Sequence, residues 1–317
     1  MDADQIKHIF FPYTERQTKA IQANGLRLAY YTTAATAYSI IRNGELWMRN
    51  TSTMNDYREV EHGFDCLNSA IKSPEGKEFR AAIDECFPDL SQKAIDHFNG
   101  WLPHIRQDTY ITCVSEHLAH EDNNGRLSMW RAYGGNTGVA LVLRPDVMFK
   151  PEDVGVYASP VAYWTQEQVR QEMALIATRV REHAALVATA GPAFIQNVLF
   201  NMFRFAVMGT KHPGFAEERE WRLITCPALE NSPLLHQTAE VVRGTPQLVQ
   251  RIRLKDVPEH GIEGVTLMAL LDRIIIGPCE YPDATYKAIL QLLKEAGFED
   301  PSKLTHVSDI PLRVASA

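Results

Sequence analysis

Phe215-Ala-Glu-Glu-Arg-Glu-Trp-Arg-Leu-Ile224 has the alternation of a strand: Glu218, Glu220 and Arg222 fall on one face, Arg219, Trp221 and Leu223 on the other. The aromatic and aliphatic groups of the second face can pack, while the first carries two carboxylates and a guanidinium about 7 Å apart in sequence-neighbour steps. Like charges that close raise each other's proton affinity unless a cation such as Arg222 offsets them. Carboxylates tuned in this way suit general-base or cation-stabilising work. The plainer alternative is a solvated strand face with one ion pair. The run continues to Thr225 and stops at Pro227.

The rest of the chain sets bounds on what such a strand can serve. With 317 residues, 45% hydrophobic and 22% charged, it has the composition of an ordinary globular protein with ample chain for a buried core. No apolar run reaches membrane-spanning length, and the polar start Met1-Asp-Ala-Asp-Gln-Ile-Lys7 does not read as a secretion signal, so no membrane partner and a cytoplasmic location are expected. The five cysteines (Cys66, Cys86, Cys113, Cys226, Cys279) are dispersed, with no close pair of the kind that clamps zinc, and read as reduced thiols. A net charge of -7 argues against a strongly basic nucleic-acid surface.

Strand signals occur at Leu26–Thr33, Glu45–Met48, Thr109–Ser115, Thr137–Leu143, Leu248–Lys255 and Leu271–Pro278, and a strand pair broken by Pro160 spans Val154–Tyr163. Between the first two lies a helix over Ala34–Arg42 stopped by Asn43-Gly44, just as Gly25 stops the helix before it. Tyr30 and Thr32 share a face of the first strand, and the threonines at its end can cap the following helix. The polar loop Asn50–Asp56 offers Asn55 and Asp56 either as helix caps or as ligand contacts. Trp130 and Tyr133, one helical turn apart, face the same way, either as core anchors or as walls of a pocket. His117-x-x-His120 reads as surface histidines rather than a metal pair. Two long helices, Gln166–Thr189 and Pro192–Met208, are expected to pack as a hairpin. The chain therefore reads as one α+β unit over residues 1–317: a mixed, mainly antiparallel sheet core with helical insertions at about 60–106 and 165–209.

Three groups of motifs occur in a recognisable order. They are Ala29-Tyr-Tyr-Thr-Thr33 with Gly44-Glu-Leu-Trp47 and Asn55-Asp56; Ser115-Glu116 with Met129-Trp-Arg-Ala-Tyr133 and Gly138; and Glu218-Arg-Glu-Trp-Arg-Leu223 with Ile276-Gly-Pro278. In this order the chain resembles the bacterial family known as domain of unknown function 2971 (DUF2971), over roughly Leu26–Pro278. More loosely it resembles the ADP-ribosyltransferase fold, in particular toxin-like members with a Tyr-His-x-Thr strand near the start and a catalytic Glu on a late strand. On that match Tyr30 takes the His position, Thr32 the Thr position and Glu220 the catalytic Glu, with Glu218 completing a Glu-x-Glu pair.

The second resemblance implies an NAD-consuming transferase that modifies a macromolecule, protein or nucleic acid, in a bacterial toxin or phage-defence setting, with no metal required. Glu220 would stabilise the positive charge that develops on the sugar as nicotinamide leaves. Tyr30 and Thr32 would hold the dinucleotide, Trp130 or Tyr133 would wall the nicotinamide pocket, and Arg222 would meet a carboxylate or a phosphate. The other expectations are a magnesium-dependent nuclease or hydrolase with Asp56, Glu218 and Glu220 as ligands, and a non-catalytic sensor of the same fold, favoured by a Tyr where the fold has His.

Overall fold

The structure, a computed structural model, describes residues 3–54, 58–149, 154–242 and 244–311. Helices α1 (Ala3–Phe10) and α2 (Pro12–Asn24) lead into strand β1 (Arg27–Thr33), helix α3 (Ala34–Asn43) and strand β2 (Glu45–Asn50). Gly25 and Gly44 end α2 and α3 with φ of 56° and 62°, a left-handed conformation that glycine adopts without steric cost. Thr33 is the N-cap of α3, its hydroxyl accepting from Thr36 N at 3.3 Å.

The first helical insertion is α4 (Arg58–Lys72), α5 (Pro74–Cys86) and α6 (Leu90–Gln107), followed by β3 (Tyr110–His117). A short α7 (Leu127–Met129) runs into a π-helical turn (Trp130–Gly134) and then β4 (Thr137–Leu143), β5 (Tyr157–Pro160) and β6 (Ala162–Tyr163). The second insertion is α8 (Gln166–Glu182), α9 (Ala184–Ala190) and α10 (Pro192–Gly209). After β7 (Thr210–Lys211) and a 3-10 turn (Pro213–Glu218) come β8 (Glu220–Thr225), β9 (Leu235–Val242) and β10 (Thr245–Arg253). The chain closes with α11 (Leu267–Leu270), β11 (Leu271–Cys279), α12 (Pro282–Glu295), α13 (Pro301–Leu304) and β12 (Thr305–Val307).

The main sheet runs β12-β11-β4-β1-β3-β2-β10-β9, with β8 on β3 and β5 on β8; among the described residues only β11–β12 is parallel in it. It is the mainly antiparallel α+β architecture expected from the sequence. One irregularity organises everything else. Strand β8 pairs with the whole of Tyr110–Ser115 along one edge of β3. The other edge is shared, β1 taking Ser115–His117 and β2 taking Tyr110 and Ile111. The sheet therefore forks along Thr112–Val114, with β1 and β2 as its two arms.

Register decides which side chains meet, because a shift of one residue reverses every face. Ala29, Ser115 and Glu220 are partners across β1, β3 and β8. Glu220 and Arg222 hence lie on the face of Ala29 and Tyr31, against which the helical insertions pack. That layer buries Phe79, Ile83, Phe98, Leu199 and Phe203 together with Ile111 and Ile224 of the sheet. Its helices approach closely where Gly63 of α4 meets the Val207 backbone of α10; a Cβ there would sit 2.1 Å from the carbonyl oxygen. On the opposite face α3 and α12 cover Val139, Leu141, Ile274 and Ile276.

Two expectations are corrected, and one strand is new. Glu218 is not on a strand: β8 starts at Glu220, preceded by Arg219 with φ of 46°. The helices of the second insertion do not form a hairpin, since α8 packs mainly on α4 and α5, and α10 on α4 and α6. Strand β9, whose sequence alternates between half-buried and exposed side chains, was not anticipated.

Candidate active site

Lys211 is the centre of the polar cluster that the fold assembles on the helical face. Its strand β7 runs beside β6, with Lys211 opposite Tyr163, and the side chain is only 3% exposed. Burying an ammonium is costly unless it is paired, and this one is paired twice. Its Nζ donates to Glu218 Oε2 at 2.5 Å and to Glu220 Oε2 at 3.3 Å, and lies 4.5 Å from the centre of the Phe215 ring.

Glu220, 6% exposed, turns its charge inward. Oε1 accepts from Arg222 Nε at 2.7 Å, and Arg222 Nη1 donates on to Met208 O at 2.7 Å. The Glu220 backbone N donates to Tyr163 Oη at 2.8 Å, so β6 fixes this strand end as well. Burial alone would raise the Glu220 pKa, but Arg222 and Lys211 together hold it down at about 2. Cys113 donates its thiol to the same carboxylate, and burial and Glu220 keep that thiol protonated. The Cys113 side chain is thus a hydrogen-bond donor rather than a nucleophile.

Glu218 stands differently. Its side chain is 19% exposed, and burial together with the neighbouring Glu220 charge raises its pKa in spite of Lys211. Tyr133, 42% exposed, donates to Glu218 Oε1 at 3.0 Å. Burial and the carboxylates push the Tyr133 phenol up, so it stays a donor. Two neighbouring carboxyl groups with proton affinities driven in opposite directions are the arrangement in which one stays ionised and the other exchanges protons.

The turn carrying Glu218 is held from outside. Arg126 donates through Nη2 to Ser115 Oγ at 3.0 Å and Glu116 O at 2.7 Å, through Nε to Glu121 Oε1 at 3.1 Å, and through Nη1 to Glu217 O. Glu121, 5% exposed, also pairs with Arg219 and thereby supports its left-handed backbone. Ser115 Oγ donates to Glu218 O. Glu218 is therefore presented by a pinned turn rather than a free loop.

The expected site residues separate into those this cluster contains and those it does not. Glu218, Glu220, Arg222 and Tyr133 meet as described. Tyr30 and Thr32 do not join them: the register turns both to the opposite face, where Tyr30 lies beside Thr32, Thr112 and Leu223. Their neighbours Tyr31 and Thr33 share the Glu220 face. Tyr31 Oη accepts from Arg126 N at 3.0 Å, tying β1 to the same rim. Trp130 is not a pocket wall. It is 2% exposed, packs edge-on against Tyr31 at 4.8 Å, donates to Asn124 O at 2.8 Å and fills the space left by Gly125, Gly138 and Gly277. His117 is not a surface residue but fully buried, bonded to Asp122 at 3.0 Å. Asn55 and Asp56 lie outside the described residues.

Lys211, Tyr163 and Cys113 were missed. Nothing in the run Thr210-Lys211-His212-Pro213-Gly214 marks the lysine as buried; the available signal is Pro213-Gly214, which turns the chain back so that Lys211 precedes Glu218 by a single loop. Among the described residues no group of three or more His, Cys, Asp or Glu side chains is arranged to hold a metal ion. The position between Glu218 and Glu220 is taken by the Lys211 ammonium. Nor is any single helix among them long and apolar enough to cross a membrane.

Residues 129–223 match the family model described as protein of unknown function (DUF2971), which supports the DUF2971 resemblance read from the motifs. That span contains Tyr133, Tyr163, Lys211, Glu218, Glu220 and Arg222, the cluster without Cys113. No curated protein and no solved structure matches the chain.

Proposed function

We propose that the DUF2971 chain is an enzyme of ADP-ribosyl transfer, using NAD as substrate and a cytoplasmic macromolecule as acceptor, with Glu218 rather than Glu220 as the group that meets the reacting atoms. The observation that carries this reading is the Lys211-bridged carboxylate pair with its split proton affinities. In such a transfer the bond from ribose to nicotinamide breaks with its electron pair going to nicotinamide. The acceptor nucleophile supplies the new pair and gives up a proton. Ionised Glu218, with solvent access, would both stabilise the positive sugar and take that proton. Glu220 stays an anion, keeps Lys211 and Arg222 charged, and holds Glu218 in place through the shared ammonium. The exposed rings of Tyr133 and Phe215 offer apolar faces for the nicotinamide beside the carboxylate. Tyr31 and Thr33 replace Tyr30 and Thr32 as the β1 side chains on this face.

Nicotinamide release from NAD by the purified chain in the presence of lysate tests the proposal. Wild type is expected to release it and Glu218→Gln to lose at least 100-fold in rate; no NAD consumption by wild type across lysates from several bacteria would refute it.

The inward-turned, doubly paired Glu220 favours a second reading, a non-catalytic sensor in which the cluster only staples β7 to β8. It predicts that Glu218→Gln leaves function intact. The magnesium-dependent reading requires Lys211 to leave the space between the carboxylates, and its activity would vanish with chelator.

A further inference from the structure

Behind the sheet, on the face opposite Glu220, lies a partly open cavity of about 140 Å3. Tyr30, Leu141 and Leu223 line it from the sheet, and Val156, Ile262 and Val265 line it from the covering segments. Leu143, Val154, Leu223 and Leu254 are only partly buried although they belong to this core. All four line the cavity. A packed interior leaves few voids larger than a water molecule, because each wall of a void forfeits its dispersion contacts. Water is a poor filler here: an apolar cavity of about 150 Å3 stays dry and admits benzene, since water inside it finds too few polar partners.

The polar side chains in the walls, Tyr30, Arg144 and Glu263, are already engaged. Tyr30 interacts with the Thr32 and Thr112 hydroxyls. Arg144 pairs with Asp272 at 3.1 Å and donates to Ala269 O at 3.1 Å. A charged headgroup would have to displace one of these partners, whereas an uncharged apolar molecule would replace lost contacts on every side.

We propose that this cavity is a binding site for a small, neutral, apolar molecule, a single aromatic ring or an alkyl chain of similar volume. The site is separate from the carboxylate cluster and stands whether or not the chain uses NAD. The test is a titration of the full-length, methyl-labelled protein with benzene, 1-hexanol and hexanoate, read by carbon-13 methyl spectra. Benzene and hexanol are expected to give saturable shifts at the Leu141, Leu223 and Val265 methyls, with hexanoate binding at least tenfold more weakly. Ala158→Phe, which places a ring in the cavity, is expected to abolish those shifts and leave distant methyl signals in place. Should that variant fail to fold, Leu223→Phe serves the same purpose, and a rise in wild-type melting temperature with benzene gives a second readout. Absence of saturable shifts in wild type, shifts that persist in a folded filled variant, or hexanoate binding as tightly as hexanol would each overturn the proposal.

Discussion

Replacing Glu220 with glutamine removes a charge and almost no volume, so its cost isolates the electrostatics of the cluster. Arg222, 1% exposed, would keep its bond to Met208 O but lose the carboxylate at 2.7 Å, and Lys211 would be left with Glu218. Breaking a buried ion pair from one side costs about 3–5 kcal/mol, because the remaining charge is desolvated without compensation. The proton equilibrium of the same group gives a second route to the figure. A carboxyl lowered from 4.5 to about 2 on folding contributes about 3 kcal/mol at neutral pH. The two agree. With an unfolding entropy of about 2.1 cal/mol/K per residue, ~4 kcal/mol corresponds to a melting temperature lower by about 6 °C for a chain of this length. Urea denaturation at pH 7 of wild type, Glu220→Gln, Arg222→Met and the double variant would measure the pair as a thermodynamic cycle. A single-variant loss below about 1 kcal/mol, or a double variant whose loss is the plain sum of the two singles, would refute the buried pair.

The pH dependence of stability has two opposite parts. Folded Glu220 binds its proton less tightly than the unfolded chain does, so its contribution is complete above about pH 4.5 and is lost as pH falls toward 2, which acid titration by circular dichroism would follow. Glu218 is raised, so its ionisation opposes folding as pH rises above its unfolded value; Glu218→Gln is expected to flatten that limb in the same titration and to change stability at pH 7 by less than about 1 kcal/mol, as befits a partly exposed group. If Glu218 acts as a base, the rate of nicotinamide release rises with pH as it deprotonates, and because its carboxyl is raised above 4.5, a rate no lower at pH 4.5 than at pH 8 would count against that role. Gly63→Ala is expected to cost ~3 kcal/mol or more in denaturant melts by forcing α4 from α10, while Gly100→Ala, whose Cβ meets nothing within 4 Å, stays neutral or better.

Much of this architecture was legible because its signals are local. Gly25 and Gly44 stop helices through a conformation that other residues avoid, and the two insertions announce themselves by helical periodicity on either side of β-branched strands. What failed was non-local. Tyr30-Tyr31-Thr32-Thr33 offers two equally good alternating pairs, and only the pairing of Ala29 with Ser115, 86 positions away, selects Tyr31 and Thr33 for the Glu220 face. The strand reading of Phe215–Ile224 was right from Glu220 onward. It broke at Arg219, where the left-handed turn depends on Glu121 and on the Glu116 amide, which donates to Arg219 O at 2.8 Å. Lys211 could not be seen as the bridge because its burial is created by helices α4 and α10 and by β6, none of which its own sequence neighbourhood describes. Trp130 was read with two possible roles, and the glycines that make room for its ring, Gly125 and Gly138 nearby and Gly277 on the distant β11, decide for the core.

The most direct measurement follows label from phosphorus-32 NAD into lysate macromolecules, with wild type beside Glu218→Gln, a substitution expected to leave the fold intact. The account predicts a labelled product with wild type, lost with Glu218→Gln and undiminished with the exposed helix control Gly100→Ala. Equal labelling by wild type and Glu218→Gln, or no labelling with NAD left unconsumed, would contradict it.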